Sequence, residues 1–425
     1  MTTPSLTELI ANPSCMEDYD PNAMSVDQAK NYIQQYLHAV TDTEMLSIHA
    51  SLGRILAHHV ISPVDVPNHD NSAMDGFAFM HNDGAQQLHI VGTAFAGKPF
   101  QGTITSGECL RIMTGGVIPL GADTVVMQER TRVEGNLLTM TDLPKKAANV
   151  RLAGEDITLG QTVLSAGHLI QPADLGLLAS LGIVSVSVYR RLKVAFFSTG
   201  DELVGVGKPL AEGQIYDSNR YTLYGMLMRL GVEVSDLGAI PDNPTLLEQT
   251  LLSAATTHDV VITSGGVSVG EADHMKALLA KHGEVLFWKM NMKPGRPLAY
   301  GKVHTANHSA HYFGLPGNPV ATMVTFYQFV RDALLRMMGA SPKPFPIFQV
   351  ECSEAIKKAQ GRTEFQRGVL FSDENGTWKV KPTGAQGSAI LSSMSLANCF
   401  IVLDDHVGNL DAGAIVQVQV MDGLI

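Results

Sequence analysis

The chain has 425 residues, 45% of them hydrophobic and 17% charged, a globular composition with enough apolar side chains for several cores rather than one. Thirty basic against forty-one acidic side chains leave a formal net charge of −11, which excludes a broad basic footprint for nucleic acid or an anionic membrane, so any anion must be met by a local site. Cys15, Cys109, Cys352 and Cys399 form no C-x-x-C pair, MTTPSLTELIANPSC lacks the pattern of a secretory leader, and no uncharged run is long enough to span a bilayer; zinc knuckle, disulfide framework and membrane protein are set aside, and a cytoplasmic protein is expected.

Residues 1–22 are polar and Pro-containing, the texture of a loose arm. Ser25-Val26-Asp27-Gln28 has the form of a capping box, and Ala29, Tyr32, Ile33, Tyr36, Leu37 and Val40 follow at helical spacing, which predicts an amphipathic helix. Over 61–156 the texture changes to short strand-like pieces, such as Leu88–Val91 and Thr124–Met127, cut by Gly, Pro and Asp-Gly; a β-rich unit is expected. Gln171-Pro172-Ala173-Asp174 opens a helix over Leu175–Leu181, and Val184–Val188 reads as a strand.

Over 191–340 the pattern becomes regular. Lys193–Phe197, Glu233–Ile240 and Asp259–Ile262 read as strands, and Tyr221–Leu230, Leu246–Thr256 and His274–His282 as helices. Such alternation predicts a parallel, doubly wound α/β sheet with ligands beyond the carboxyl ends of its strands. Asn318 stands at the N-cap and Pro319 at the first position of an apolar helix from Val320 to Met338, ended by Gly339. Ser341 to Pro346 is a stiff Pro-rich hinge, and 341–425 otherwise alternates short strands and turns, a small sandwich or barrel.

Chemistry concentrates where the strands end. Ser198-Thr199-Gly200-Asp201-Glu202 and Thr263-Ser264-Gly265-Gly266 each follow a strand, the second running on to Glu271 and Asp273, and Pro316-Gly317-Asn318-Pro319 again separates strand from helix. Glycines admit backbone amides to an oxyanion and hydroxyls add donors, so the three loops are expected on one rim. Acids beside such loops should repel an anion. A hard divalent cation reconciles them: Asp201, Glu202, Asp242 and Asp273 could hold Mg²⁺, which takes one or two carboxylates plus phosphate oxygens. Opposite, Lys289, Lys293 and Arg296 gather positive charge for a diphosphate or small oxyanion, Arg offering a bidentate fork.

Each feature also has a purely structural reading. A lone Gly-Gly is usually a tight turn, Asp242 precedes Asn243-Pro244 and starts one, and Lys289 suits a solvated strand position. His304, His308 and His311 have the spacing of metal ligands on a helix, but their Asn- and Ser-rich surroundings indicate a loop. Pro67–Gly76, Arg111–Gly116 and Gly154–Asp156 read singly as turns.

Taken together these stretches resemble the molybdopterin molybdenumtransferase family, MoeA, whose insertase domain also forms the C-terminal part of gephyrin. The motifs are NSAMDG, MTGGVIPLGAD, RLAGEDI, FSTGDEL, IYDSNRYTL, ITSGGVSVGEAD, MKPGRPLAYG, GLPGNPVA, EFQRGVL and PTGAQGS, in order from about Asn68 to Asn398. The resemblance implies an elongated multi-domain protomer, α/β plus β: a discontinuous helical and linker domain over 23–60 and 157–190, the β-rich insertion, the α/β molybdopterin-binding domain and a C-terminal β-barrel. It implies a homodimer in which the insertion of one subunit faces the α/β domain of the other. The implied activity is insertion of molybdate into adenylylated molybdopterin with release of AMP, in a divalent-metal-dependent step. It also implies dealings with a molybdopterin adenylyltransferase and acceptor molybdoenzymes.

Carried over by resemblance, the carboxylates of the site are Asp75, Asp156, Glu202, Asp242 and Asp273, with Thr114 beside Asp75. Lys289, Lys293, Arg367 and Ser388 would serve the oxyanion and pterin phosphate, and Pro316 and Pro319 would shape the pocket. Gly116 stands where alanine is commoner in the family. Two rival functions remain: adenylation of molybdopterin, since the α/β unit alone resembles those enzymes, and a non-catalytic gephyrin-like scaffold. The two β-rich units with their own motifs weigh against the first. The lack of a long Pro/Ser-rich linker or second catalytic module weighs against the second.

Overall fold

The computed structural model describes residues 23–81, 86–266, 274–341 and 345–421. They fall into two compact units, one of Met45–Val188 and one that joins the N-terminal segment through Glu44 to Tyr189 and everything after it.

Helix α1 (Val26–Gln35) opens as its sequence requires: Ser25 Oγ accepts from the Gln28 amide at 3.2 Å, and Gln28 Oε1 accepts from the Ser25 amide at 3.0 Å. It stops short of the Val40 expected from spacing. The Val40 amide donates instead to Met337 O at 2.8 Å, so a tertiary bond takes the place of another helical turn. Grouped from sequence with the linker domain, α1 belongs to the unit that holds the α/β sheet; Lys30 Nζ donates to Gln328 Oε1 at 3.1 Å.

In the unit of Met45–Val188, strands β1 (Gly76–Phe79), β2 (Gln87–Ala94), β3 (Glu108–Ile112), β4 (Thr124–Met127), β5 (Thr131–Glu134) and β6 (Leu137–Met140) form one sheet in the order β4-β1-β3-β2-β6-β5. Period-two alternation sends Phe77 and Phe79 into a core with Leu88, Val126 and Leu138, while Ala78 joins Ala94, Leu110 and Val125 on the other side. Strand β1 is therefore buried on both faces. Helix α2 (Pro172–Ser180) contributes Leu178 to a third core with Leu56, Val60, Leu164, Ile170, Val186 and Val188, which ties the chain before the insertion to the chain after it.

In the other unit, β7 (Lys193–Thr199), α3 (Ser218–Leu230), β8 (Glu233–Ile240), α4 (Pro244–Thr257), β9 (Val260–Ser264) and α5 (His274–His282) alternate as expected. Beyond them come β10 (Gly283–Lys289), the short β11 (Met292–Lys293), β12 (Pro297–His304) and β13 (Ser309–Leu315). The sheet order is β8-β7-β9-β13-β12-β10. Its first four strands are parallel, but β12 and β10 are antiparallel additions, so the sheet is mixed rather than wholly parallel. A hairpin turn between His304 and Ser309 causes this, because it returns the chain beside its own strand instead of crossing over. α4 and α5 bury Leu247, Leu251, Met275 and Leu279 against Ala195, Phe197, Val261 and Tyr312.

The three histidines sit on that hairpin, each with its own partner: His304 Nδ1 meets Ser309 Oγ at 2.8 Å, His308 Nδ1 meets Ala255 O at 2.8 Å and His311 Nδ1 meets Tyr300 Oη at 3.4 Å. Burial pushes the His311 imidazole down to about 4. The apolar stretch after Pro319 is not one regular helix. α6 (Pro319–Thr325) passes through a π-helical segment, Phe326–Val330, into α7 (Arg331–Met337), and Gly339 ends it at φ +85°. Asn318 holds the N-cap position without a side-chain capping bond. Within the π segment, buried Gln328 donates to Gln419 Oε1 at 2.8 Å while accepting from Lys30.

Strands β14 (Ile347–Cys352), β15 (Thr363–Ser372), β16 (Trp378–Pro382), β17 (Cys399–Leu403) and β18 (Ile415–Val420) pair in the order β15-β16-β14-β18-β17, and β17 pairs back onto β15 to close a five-stranded barrel. β11 adds to it, running parallel to β15. Cys352 and Cys399 are buried thiols inside this barrel, and Cys109 lies buried in the other unit. Among the described residues no helix is long and apolar enough to cross a membrane.

Candidate active site

The parallel strands deliver their carboxyl ends to one edge, and a cleft of about 950 Å³ opens there. The end of β7 and the loop after it contribute Thr199, Gly200 and Glu202; the turn after β8 contributes Asp242; the end of β9 and the loop after it contribute Ser264, Gly265 and Gly266; and the turn after β13 contributes Pro316, Gly317 and Asn318. Lys293 and Arg296 line the same space, as does Ser388 from the barrel. The shared rim expected from sequence is therefore present.

Two glycines are required by close approach. Gly200 has φ +146°, and a Cβ there would lie 2.5 Å from the Glu202 carboxylate; Gly265 has φ +90°, and a Cβ there would lie 2.7 Å from Thr199 O. Their amides, however, are spent within the fold: Gly200 N donates to Ile240 O at 3.4 Å and Gly265 N to Leu315 O at 3.1 Å. These two N–H groups do not serve an oxyanion, contrary to the expectation from a glycine-rich loop. Thr199 and Ser264 also line the cleft, and the Ser264 hydroxyl donates to Pro316 O at 3.5 Å.

The acids converge. Asp201 Oδ1 accepts from the Asp242 amide at 3.0 Å, which pins the end of β8 to the loop after β7. Partial burial, then the nearby charges of Asp201 and Glu202, raise the Asp242 carboxyl above its ordinary range. Like charges gathered this way favour a cation between them. Among the described residues no three acids, histidines or cysteines stand close enough to form a complete metal cage. Asp273 and Glu271 lie outside the described residues.

Other expected residues sit elsewhere. Lys289, at the end of β10, does not line the cleft, nor does Pro319, which starts α6. Arg367 stands behind the wall: it is 1% exposed, with Nε on Ser393 Oγ at 2.9 Å and Nη2 on Gly387 O at 3.0 Å. Burial lowers its guanidinium to about 10. Its contact with Gly387 fixes the turn that presents Ser388, whose carbonyl accepts from Val320 N at 3.0 Å.

Asp75, Thr114 and Asp156 belong to the unit of Met45–Val188. There the three motifs that read as separate turns zip together. Asn71–Ser72 pairs with Val150–Arg151, Ser72 exchanges backbone bonds with Gly115 and Gly116 at 2.8 and 2.9 Å, and Gly154 N donates to Pro67 O at 2.9 Å. Asp75 Oδ1 accepts from both the Thr114 amide at 2.7 Å and its hydroxyl at 2.8 Å, and these bonds hold the Asp75 carboxyl below the usual range. A Cβ at Gly116 would lie 2.9 Å from Met113 O, a contact that glycine avoids.

The chief residue missed from sequence is Asn219, in the first turn of α3. Its Nδ2 donates to Ser264 Oγ and to Gly317 O, both at 2.6 Å, joining two rim loops beneath the cleft it also lines. The signal lay in Asp217-Ser218-Asn219: Asp217 is the N-cap, accepting from Arg220 N at 3.2 Å, so the helix starts three residues before Tyr221. His274 and Arg362 also line the cleft.

Comparison with known proteins divides the chain into three matched stretches. Residues 24–182 match the profile of the MoeA N-terminal region (domain I and II), 195–336 that of a probable molybdopterin binding domain, and 349–421 that of the MoeA C-terminal region (domain IV). A molybdopterin molybdenumtransferase of Haemophilus influenzae is 46% identical over 406 residues, covering 95% of this chain and 100% of its own. A gephyrin of Dictyostelium discoideum is 34% identical, covering 93% of this chain and 62% of its own. The crystal structure of a molybdopterin biosynthesis moeA protein from Pyrococcus horikoshii superposes with a TM-score of 0.80 at 28% identity, covering 94% of this chain and 100% of that one.

Proposed function

Because the chain belongs to the MoeA family of molybdopterin molybdenumtransferases, we propose that its cleft is where molybdate enters adenylylated molybdopterin and AMP is released. The observation that carries this reading is the convergence of three strand-end loops, the Glu202 and Asp242 acids and the Lys293 cation on one cavity. A pyrophosphate-bearing substrate accounts for both signs of charge.

Glu202 and Asp242, with Asp273 where the chain continues, would hold Mg²⁺ or a similar cation. The donor set fits, because carboxylates are hard oxygen ligands and Mg²⁺ takes one or two of them and completes its shell with phosphate oxygens and water. When bound, the cation supplies positive charge to the pyrophosphate. The Thr199 hydroxyl donates to a phosphate oxygen, while Ser264, whose hydroxyl donates to Pro316 O and accepts from Asn219, holds the rim loops in place. Lys293, Arg296 and Ser388 face the oxyanion and the pterin phosphate, Lys289 adds positive charge from outside the cleft wall, and Arg367 acts through the Ser388 turn. Water adds to the phosphoanhydride and AMP leaves, which makes insertion irreversible, and an acid of the cleft positions that water.

Asp75, Thr114 and Asp156 form the face that one subunit of a homodimer offers to the cleft of the other. The protein works in the cytoplasm, receiving substrate from a molybdopterin adenylyltransferase and passing cofactor to acceptor molybdoenzymes. Purified protein given adenylylated molybdopterin, Mg²⁺ and molybdate should release AMP and yield molybdenum-loaded cofactor. Release of AMP without incorporation of molybdenum, or turnover of ATP with plain molybdopterin, would refute the reading.

A further inference from the structure

Lys293 reaches the cleft from β11, and a buried carboxylate stands behind it. β11 runs parallel to β15 with Lys293 in register with Glu364, and Lys293 Nζ donates to Glu364 Oε1 at 3.2 Å. The two ends of this pair differ sharply: the lysine side chain is 47% exposed, the glutamate 4%. Glu364 is itself fixed, since Gln366 Nε2 donates to its other oxygen at 2.9 Å and to Lys357 O at 3.0 Å. An ammonium has three N–H groups and no acceptor, so one is spent on the barrel and two remain for a ligand.

A lysine stem has wide rotamer freedom, and an ammonium at the end of an unanchored stem is spread over many positions. One rigid carboxylate removes most of that spread. Against this stands the negative charge of Glu364, which an arriving oxyanion feels as repulsion. That charge is offset by its surroundings, because buried Lys358 and Arg367 also lie within its electrostatic reach. The anchoring effect therefore dominates. Lysine held by a buried glutamate and turned toward phosphate is an arrangement that also serves phosphoryl-transfer enzymes.

From this geometry we propose that Glu364 is a positioning residue for molybdate, acting through Lys293 to hold two ammonium N–H groups toward the oxyanion. The proposal rests on the reading of Lys293 as an oxyanion ligand. It assigns the barrel a part in the reaction: β15 carries the anchor, and the pairing of β11 with β15 transmits it.

The test is a double-mutant cycle read as the KM for molybdate in AMP release, with the KM for adenylylated molybdopterin as internal control. Glu364→Gln keeps an acceptor for Gln366 and should fold normally, which its thermal transition checks; Glu364→Asp serves as a second, milder variant. We expect Glu364→Gln to raise the molybdate KM about tenfold with little change for the other substrate, Glu364→Asp to recover part of the loss, and Glu364→Gln to add nothing in a Lys293→Met background. An unchanged or lowered molybdate KM in Glu364→Gln, with Lys293→Met impaired, overturns the proposal alone. If Lys293→Met itself leaves the molybdate KM unchanged, the role of Lys293 falls and this proposal with it. An equal rise in both KM values marks Glu364 as structural only, and likewise overturns it.

Discussion

Asp242 has its amide held by Asp201, and its carboxyl is raised by burial and by the two acids beside it. A carboxylate whose pKa is higher folded than unfolded is worse off charged in the fold, so at neutral pH it subtracts from stability. Replacing it with the neutral isostere should therefore help the fold while harming the reaction. Asp242→Asn is expected to cut AMP release by about 100-fold and to raise the melting temperature by ~1–2 °C, a small figure because the group is largely exposed and screened. Calorimetry beside the AMP assay checks both halves, and a variant both less stable and fully active would remove Asp242 from the site.

Single side chains were legible in the sequence where chemistry restricted the choice of residue. Glu202, Asp242 and Lys293 stand beside glycine- and proline-rich turns that follow strands. Asn219 was hidden because its amide works through two buried bonds, to Ser264 and Gly317, that only the tertiary fold creates. Resemblance implies that Arg367 meets the oxyanion, whereas its burial puts it one layer behind, on the turn that carries Ser388.

Asp259, just before β9, shows how elements are tied together below the cleft. Its two oxygens accept from Arg190 at 2.7 and 2.8 Å, and Oδ2 also accepts from the Lys193 amide at 2.8 Å, so the entry to β7 and the entry to β9 share one carboxylate. Burial opposes the charge, but the guanidinium and the amide outweigh it and hold the Asp259 carboxyl below its ordinary range. Asp259→Ala should cost about 2–3 kcal/mol at pH 7. With a depressed folded pKa, that stabilisation is complete above the unfolded value near ~4 and is lost as pH falls through the folded one. Urea unfolding of both proteins at pH 7 and pH 3 should show the gap narrowing in acid; a gap independent of pH would contradict the assignment.

Elements with a strong period are legible in the sequence. Thr124–Met127, Glu233–Ile240 and His274–His282 have the bounds their patterns predict. The π segment left no mark, because Phe326–Val330 is uniformly apolar except for Gln328, whose partners Lys30 and Gln419 lie far along the chain. Gln328→Ala should strand both partners and cost about 1–3 kcal/mol in denaturant unfolding; a cost near zero would mean the segment packs without that link.

At the scale of the whole molecule, the division into a unit of Met45–Val188 and a unit carrying the cleft gives the proposed dimer its logic. The zipped motifs around Asp75 and Thr114 lie in the first unit, and Glu202, Asp242 and Lys293 line the cleft of the second. Mixing inactive Asp75→Asn subunits with inactive Glu202→Gln subunits should restore about one quarter of wild-type activity, the statistical yield when half of the dimers are mixed and each retains one intact site in two. No recovery after subunit exchange would show that each chain completes its own site.

The claim on which these parts depend is that Glu202 and Asp242 grip one cation together with the substrate pyrophosphate. Mn²⁺ binding, followed by its paramagnetic resonance with and without adenylylated molybdopterin, tests this most directly. The ion should bind weakly to the protein alone, at least about tenfold more tightly with the substrate present, and lose that enhancement in Glu202→Gln/Asp242→Asn. Binding that ignores the substrate, or survives intact in the double variant, would contradict the account.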